Sequence, residues 1–251
     1  MVLSVPATSF ATSTPLKIGV SAGPYGEILD FAAKIADQEG LKVEIVEFTE
    51  WTVINAALQS GDIDANNFQH IPYLNAQISA RGYDIVPLQP SIVVPMGIYA
   101  GRAKDLDTLP DGATIGIPND PTNSARALKL LELAGLIRLK PDIDQDAASP
   151  LDIADNPRHL RFSEIDAAQL PRTLPDIDLG VITLNYAVLA GLDPKAALKL
   201  EDETSHWTLV WAARRDRAQD ARLVRFIEIY RSAPVRDFVL ERFKGSILPT
   251  W

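Results

Sequence analysis

The chain of 251 residues contains no cysteine, so neither disulfides nor a thiolate-based zinc centre holds it together. Its stability has to come from buried apolar surface, and this length suffices for one large core or two modest ones. Clustered Lys and Arg are also missing, and the formal charge is −9. That excludes the electrostatic grip on a phosphate backbone on which nucleic-acid binding depends. No apolar run approaches the roughly 20 residues that cross a bilayer as a helix. The histidines are few and far apart, His70, His159 and His206, with no carboxylate at metal-ligand spacing. No metal site is assigned and no cofactor is expected. Gly19, Gly23 and Gly26 lack the following Lys and Ser or Thr of a phosphate-binding loop, so nucleotide binding is not expected either.

What the chain does have is 47% hydrophobic and 23% charged residues, a balance that folds throughout. Residues 1–15 are rich in Ser, Thr, Ala and Val and carry no charge; they read as the flexible remnant of a removed leader, pointing to the cell envelope.

Beyond them, apolar runs alternate with helical periodicity. A strand over 17–21 stops at Ala22-Gly23-Pro24, and Ile28, Leu29, Phe31, Ala32, Ile35 and Ala36 then recur at helical spacing. A buried strand over 43–48, a helix over 51–59 ended by Gly61, a brief strand over 63–65 and a helix over 68–80 follow. Strands at 85–88 and 92–99 lead into Ala100-Gly101, where a crossing between lobes is expected. A second unit has strands at 114–117, 160–162 and 178–183 and helices at 123–133, 167–174 and 186–190. A strand over 207–213 carries the chain back, and amphipathic helices over 221–231 and 235–244 complete it. Repeated strand-then-helix units predict an α/β fold of two lobes, 16–100 plus 206–251 and 101–205, with a ligand cleft between them.

Three segments carry candidate chemistry. Gly19-Val20-Ser21-Ala22-Gly23 matches the G-x-S-x-G elbow of serine hydrolases, which makes Ser21 a candidate nucleophile. The elbow normally follows several strands, and here it follows the first, so a small-residue turn is the favoured reading and a non-enzyme the expectation. Asn119-Asp120-Pro121-Thr122-Asn123-Ser124-Ala125-Arg126 opens a periodic helix with capping residues. Asn123 and Arg126 sit three apart on its first turn, where backbone donors, the dipole and a guanidinium fork suit a carboxylate. Asn66-Asn67-Phe68-Gln69-His70-Ile71-Pro72-Tyr73 puts Phe68 beside His70 and Tyr73, which the helical reading places on one face; they either pack in the core or form an apolar slot with a polar edge.

Taken together, the strings Lys17-Ile-Gly-Val-Ser-Ala-Gly-Pro24, Asp64-Ala-Asn-Asn-Phe-Gln-His-Ile-Pro-Tyr73, Pro118-Asn-Asp-Pro-Thr-Asn-Ser-Ala-Arg126 and Gln169-Leu-Pro-Arg172 resemble the NlpA family of methionine-binding lipoproteins. These are solute-binding components of methionine ABC importers, and the resemblance spans residues 16–251. It implies a two-lobed periplasmic-binding fold of type II, a small-molecule ligand, an ABC permease as partner, and a place in the periplasm or cell envelope; a monomer is expected because no long exposed apolar stripe suggests a stable interface. It also implies that Asn123 and Arg126 hold the ligand carboxylate while Phe68, His70 and Tyr73 line the side-chain slot. Trp51 stands where the family usually has tyrosine. Thr183, with Asn185 two residues on, and Leu209 stand where the family commonly has asparagines that fix the ligand's polar backbone. Methionine, a related hydrophobic amino acid or an apolar carboxylate is therefore the expected ligand, with altered specificity. The family's anchoring cysteine has no counterpart here.

Overall fold

The computed structural model describes residues 14–202 and 206–251. Of the expected leader remnant, residues 1–13 lie outside the described residues.

The chain begins with β1 (Leu16–Ser21), buried almost throughout, and turns through Gly23 at φ 108° into α1 (Pro24–Gln38). Pro24 suits a first helical turn, where its missing N–H is no loss. The α1 stripe Ile28, Leu29, Ala32 and Ala36 is buried. β2 (Val43–Phe48) follows, then a 3-10 turn at Trp51–Val53, α2 (Ile54–Ser60), β3 (Ala65–His70), α3 (Ile71–Arg81), β4 (Ile85–Pro90) and β5 (Ile92–Val93). The middle of the chain comprises β6 (Met96–Ala100), β7 (Thr114–Pro118), α4 (Pro121–Leu133), β8 (Arg138–Leu139), β9 (Ile153–Asp155), β10 (Arg161–Ile165), α5 (Leu170–Thr173), β11 (Leu179–Thr183), α6 (Leu184–Leu189) and β12 (Lys199–Leu200). Finally come β13 (Leu209–Arg214), α7 (Ala221–Tyr230), α8 (Ala233–Phe243) and β14 (Leu248–Pro249).

Two five-stranded sheets result, ordered β2-β1-β3-β13-β4 and β10-β7-β11-β6-β12. In each, the neighbours set by helical crossovers are parallel, whereas β13 runs antiparallel to β3 and β4, and β6 antiparallel to β11 and β12. The returning strand expected over 207–213 is thus β13. The first sheet packs against α1, α7 and α8 through Ile18, Ile28, Phe226, Tyr230 and Val239, and the second against α4 through Ile115, Ile117, Leu128 and Val181. Each such side chain, fully buried, contributes roughly 1.5–3 kcal/mol. A further cluster reaches across both sheets, joining Trp51, Phe68 and Tyr73 to Leu170, Ile182 and Tyr186.

Three expectations need correction. β2 is an edge strand with Glu44 and Glu47 exposed, not a buried one. The stretch Ala65–His70 is a fully buried strand, so Phe68 and His70 are not helical, and of the brief strand expected over 63–65 only Ala65 belongs to it. Asn66 and Gln69 are tolerated in a central strand because they form an amide network with Asn55: Asn55 and Gln69 exchange bonds of 2.7 and 2.8 Å, and Asn66 and Gln69 add two more. The third concerns the crossing. Met96–Ala100 pairs with β11 and β12, so the chain leaves the first sheet at Val94 and Pro95 and not at Ala100-Gly101. Gly101 donates to Asp178 O at 3.1 Å, and a Cβ there would lie 2.3 Å from Ile177 O. The glycine permits close backbone approach inside the second lobe; it is not a hinge.

Candidate functional site

His70 closes β3 and caps α3. Its Nδ1 accepts the Tyr73 N–H at 3.1 Å, which meets one of the orphan amides at the helix start. Its Nε2 lies 3.2 Å from Asn123 Oδ1 on α4 of the other lobe. Asn123 Nδ2 donates to both oxygens of Asp120, at 3.0 and 3.1 Å, which turns Oδ1 toward the ring. His70 is therefore the neutral tautomer with its proton on Nε2. Burial, helped by the charge of Arg126 and partly opposed by the Asn123 bond, lowers its pKa to about 3.

Around this contact Trp51, Phe68, Gln69, His70, Tyr73 and Asn123 enclose a hollow of about 20 Å³. The rings meet edge to face, Trp51 to Tyr73 at 6.3 Å and Phe68 to Tyr73 at 6.0 Å. Such a space holds about one water, so the rings and Asn123 pack closely across the lobes.

The mouth of α4 differs from the expected open anion seat. Asp120 caps its own helix, accepting the Asn123 N–H at 3.0 Å and the Thr122 hydroxyl at 3.1 Å, so a carboxylate of the chain already sits among those donors. Desolvation is the main influence on Asp120 and raises its pKa, against the lowering effect of these bonds.

Arg126, one turn along, is 2% exposed. Its Nε donates to Glu201 Oε1 at 2.8 Å, and its Nη2 to Glu201 Oε2 and to Val94 O. Among the described residues, Nη1 keeps its two N–H groups uncommitted. The guanidinium carbon lies 5.3 Å from the centre of the Trp207 ring, which in turn is 4.8 Å from the His70 ring. An arginine, an indole and an imidazole thus stand in a row behind the aromatic hollow.

The remaining candidates are placed differently. Thr183, at the carboxyl end of β11, is 6% exposed and its hydroxyl has no partner among the described residues. Asn185 donates to Ser21 Oγ at 3.1 Å and accepts from the Tyr25 hydroxyl at 3.4 Å, so both ends of its amide bridge to the other lobe. Leu209 pairs with His70 in the β3–β13 ladder and is buried in the first lobe's core. Ser21 is completely buried and held by Asn185. His70 commits both ring nitrogens elsewhere, His206 pairs with Asp146, and His159 lies exposed beyond β9, so the hydrolase alternative has no base and no accessible nucleophile among the described residues.

Sequence reasoning missed Trp207 and Glu201. An isolated indole opening a strand was the only local sign of the first, and nothing near Glu201 in the chain announces that its carboxylate meets α4, 75 residues away.

Two α/β lobes joined by paired crossings, with rings from one facing a polar helix turn of the other, are the architecture of a two-lobed solute-binding protein. The NlpA lipoprotein profile matches residues 16–251, and the chain belongs to that family. It is 40% identical over 240 residues to the D-methionine-binding lipoprotein MetQ of Salmonella typhi, covering 94% of this chain and 88% of the relative. Among solved structures it is similar to a nutrient-binding protein from Burkholderia cenocepacia bound to methionine, with TM-score 0.90, 42% identity, and 94% of this chain and 100% of that one covered. A periplasmic substrate-binding protein of an ABC transporter from Coxiella burnetii matches with TM-score 0.89 and 42% identity over the same shares.

Proposed function

We propose that the protein captures a small carboxylate with an apolar side chain, methionine or a close analogue, between its lobes and delivers it as a monomer to an ABC permease in the cell envelope. The observation that carries this reading is the pairing of an aromatic hollow on one lobe with Arg126 on the other. Methionine bound to the Burkholderia protein and the name of the Salmonella relative support the ligand class, and the Coxiella protein supports the transporter.

In this reading the carboxylate is received at Arg126 Nη1, with Asn123 beside it, because the helix mouth is filled by Asp120. Trp51, Phe68, His70 and Tyr73 hold the side chain, with Trp207 backing them. A thioether is well matched to such rings, at roughly 0.3–1.5 kcal/mol per contact. The Thr183 hydroxyl takes up a polar atom of the ligand. Asn185 and Leu209 frame the site without offering a free polar atom, which shifts preference away from ligands that need several acceptors around an ammonium. The lobes part to admit the ligand and close on it with the rings moved aside from their close packing around the hollow, and the ligand stabilises that liganded closed form by bridging them.

Isothermal titration against L- and D-methionine, other hydrophobic amino acids and apolar carboxylates tests the reading. Arg126→Ala is expected to weaken the carboxylate that binds by at least a hundredfold. Unchanged affinity in that variant would remove the proposed role of the guanidinium.

A further inference from the structure

The crossings between the lobes meet at a single carboxylate. Glu201, on the crossing that returns to the first lobe, accepts from Arg126 through both oxygens, and Oε2 also accepts the Met96 N–H at 2.7 Å. Arg126 Nη2 donates at 2.8 Å to Val94 O on the outgoing crossing. Both side chains are buried, at 2% and 7% exposure. One ion pair therefore ties the start of α4 to both segments that join the lobes. Beside it lies a cavity of about 550 Å³, lined by Val93 at the end of β5, Pro95, Leu200 at the end of β12, Glu201, and Lys244 and Leu248 of the first lobe.

We propose that Glu201 is a positioning residue: it aims Arg126 into the cleft and transmits to the hinge whether that guanidinium is occupied. This rests on the reading that Arg126 receives the ligand carboxylate. A buried guanidinium without a counter-charge is costly, so Glu201 keeps it in place while the cleft is empty. Its bidentate hold on the Nε and Nη2 edge orients the planar group and leaves Nη1 to the ligand. Because Glu201 and Val94 are chain-adjacent to the pivots, opening or closing changes the same hydrogen bonds that aim the arginine.

Glu201→Gln separates these roles from mere packing. Glutamine keeps the shape but has one acceptor end, whereas both Glu201 oxygens face N–H groups, so one donor meets another in either orientation. Titration of L-methionine and methionine amide into wild type, Glu201→Gln, Arg126→Ala and the double variant is the first arm. Glu201→Gln is expected to lose at least tenfold in methionine affinity and most of the preference for the acid over the amide, and the double variant to be no worse than Arg126→Ala. Retained preference in Glu201→Gln overturns the proposal. Loss in Glu201→Gln with none in Arg126→Ala overturns the reading beneath it. Small-angle scattering without ligand is the second arm, with Glu201→Asp as a milder variant that keeps the charge. A larger radius of gyration is expected for Glu201→Gln, with Glu201→Asp in between; identical scattering for all three overturns the hinge coupling whatever ligand binds.

Discussion

His70 and Asn123 join the lobes through one directed hydrogen bond, Nε2–H to Oδ1 at 3.2 Å, and the direction is set by Asp120 holding the amide from behind. The imidazole is neutral because a charged ring there would be buried beside Arg126.

That neutrality gives a pH dependence. With a folded pKa of about 3 against an ordinary 6.5, the unfolded chain binds the extra proton between those values. The contribution of His70 is complete above about pH 6.5 and is lost as pH falls toward 3, at a limiting slope of about 1.4 kcal/mol per pH unit. His70→Asn keeps an N-cap without a titrating group. Calorimetry from pH 7 to 4 is expected to show a shallower fall in Tm for the variant. Asp120, raised by burial, acts in the opposite sense in both proteins and cancels in the difference. Equal slopes would show that His70 does not stay neutral.

Thr183 offers a test of the unpartnered hydroxyl. Thr183→Val removes a buried polar atom without changing shape, which is expected to raise stability by about 1 kcal/mol while weakening ligand binding. Thermal unfolding with titration reads both effects; an unchanged affinity would separate Thr183 from the ligand.

Ser21 is a bridge between lobes, so Ser21→Ala strands the buried Asn185 Nδ2 and is expected to cost about 1–3 kcal/mol. Adding Asn185→Ala removes the stranded donor, and the double variant is expected to lose less than the sum. Additive losses in chemical denaturation would mean the pair is not coupled. No ester hydrolysis is expected from any of these proteins.

Gly101→Ala is expected to destabilise by about 3 kcal/mol, since its Cβ would press on the carbonyls of Ile177, Leu174 and Asp178, none of which is a movable side-chain end. A denaturation midpoint within error of wild type would refute the close approach.

Much of the architecture was legible because it depends on local patterns. The β1 to α1 step, with its small-residue turn and apolar stripe, and the Asp120-capped α4 follow from short-range chemistry. Phe68, His70, Tyr73, Trp51 and Asn123, drawn from separate segments, line one hollow. β3 was misread because a run of Asn, Gln and His has no strand period, and only the reciprocal amides of Asn55 and Gln69 make its burial tolerable. The hinge was displaced because a glycine marks either mobility or close contact, and the chain alone does not distinguish them.

The linear chain by itself determined the α/β alternation, the family and the residue types around the hollow, since hydrophobic period, capping and turn chemistry act over a few residues. Tertiary structure alone decided which polar atoms are already taken. Asn185 locks onto Ser21, and Glu201 claims one edge of Arg126. Hydrogen-bond partners 75 to 164 residues apart are chosen by packing of the whole, because a buried charge or amide must find whatever complement the fold brings within reach.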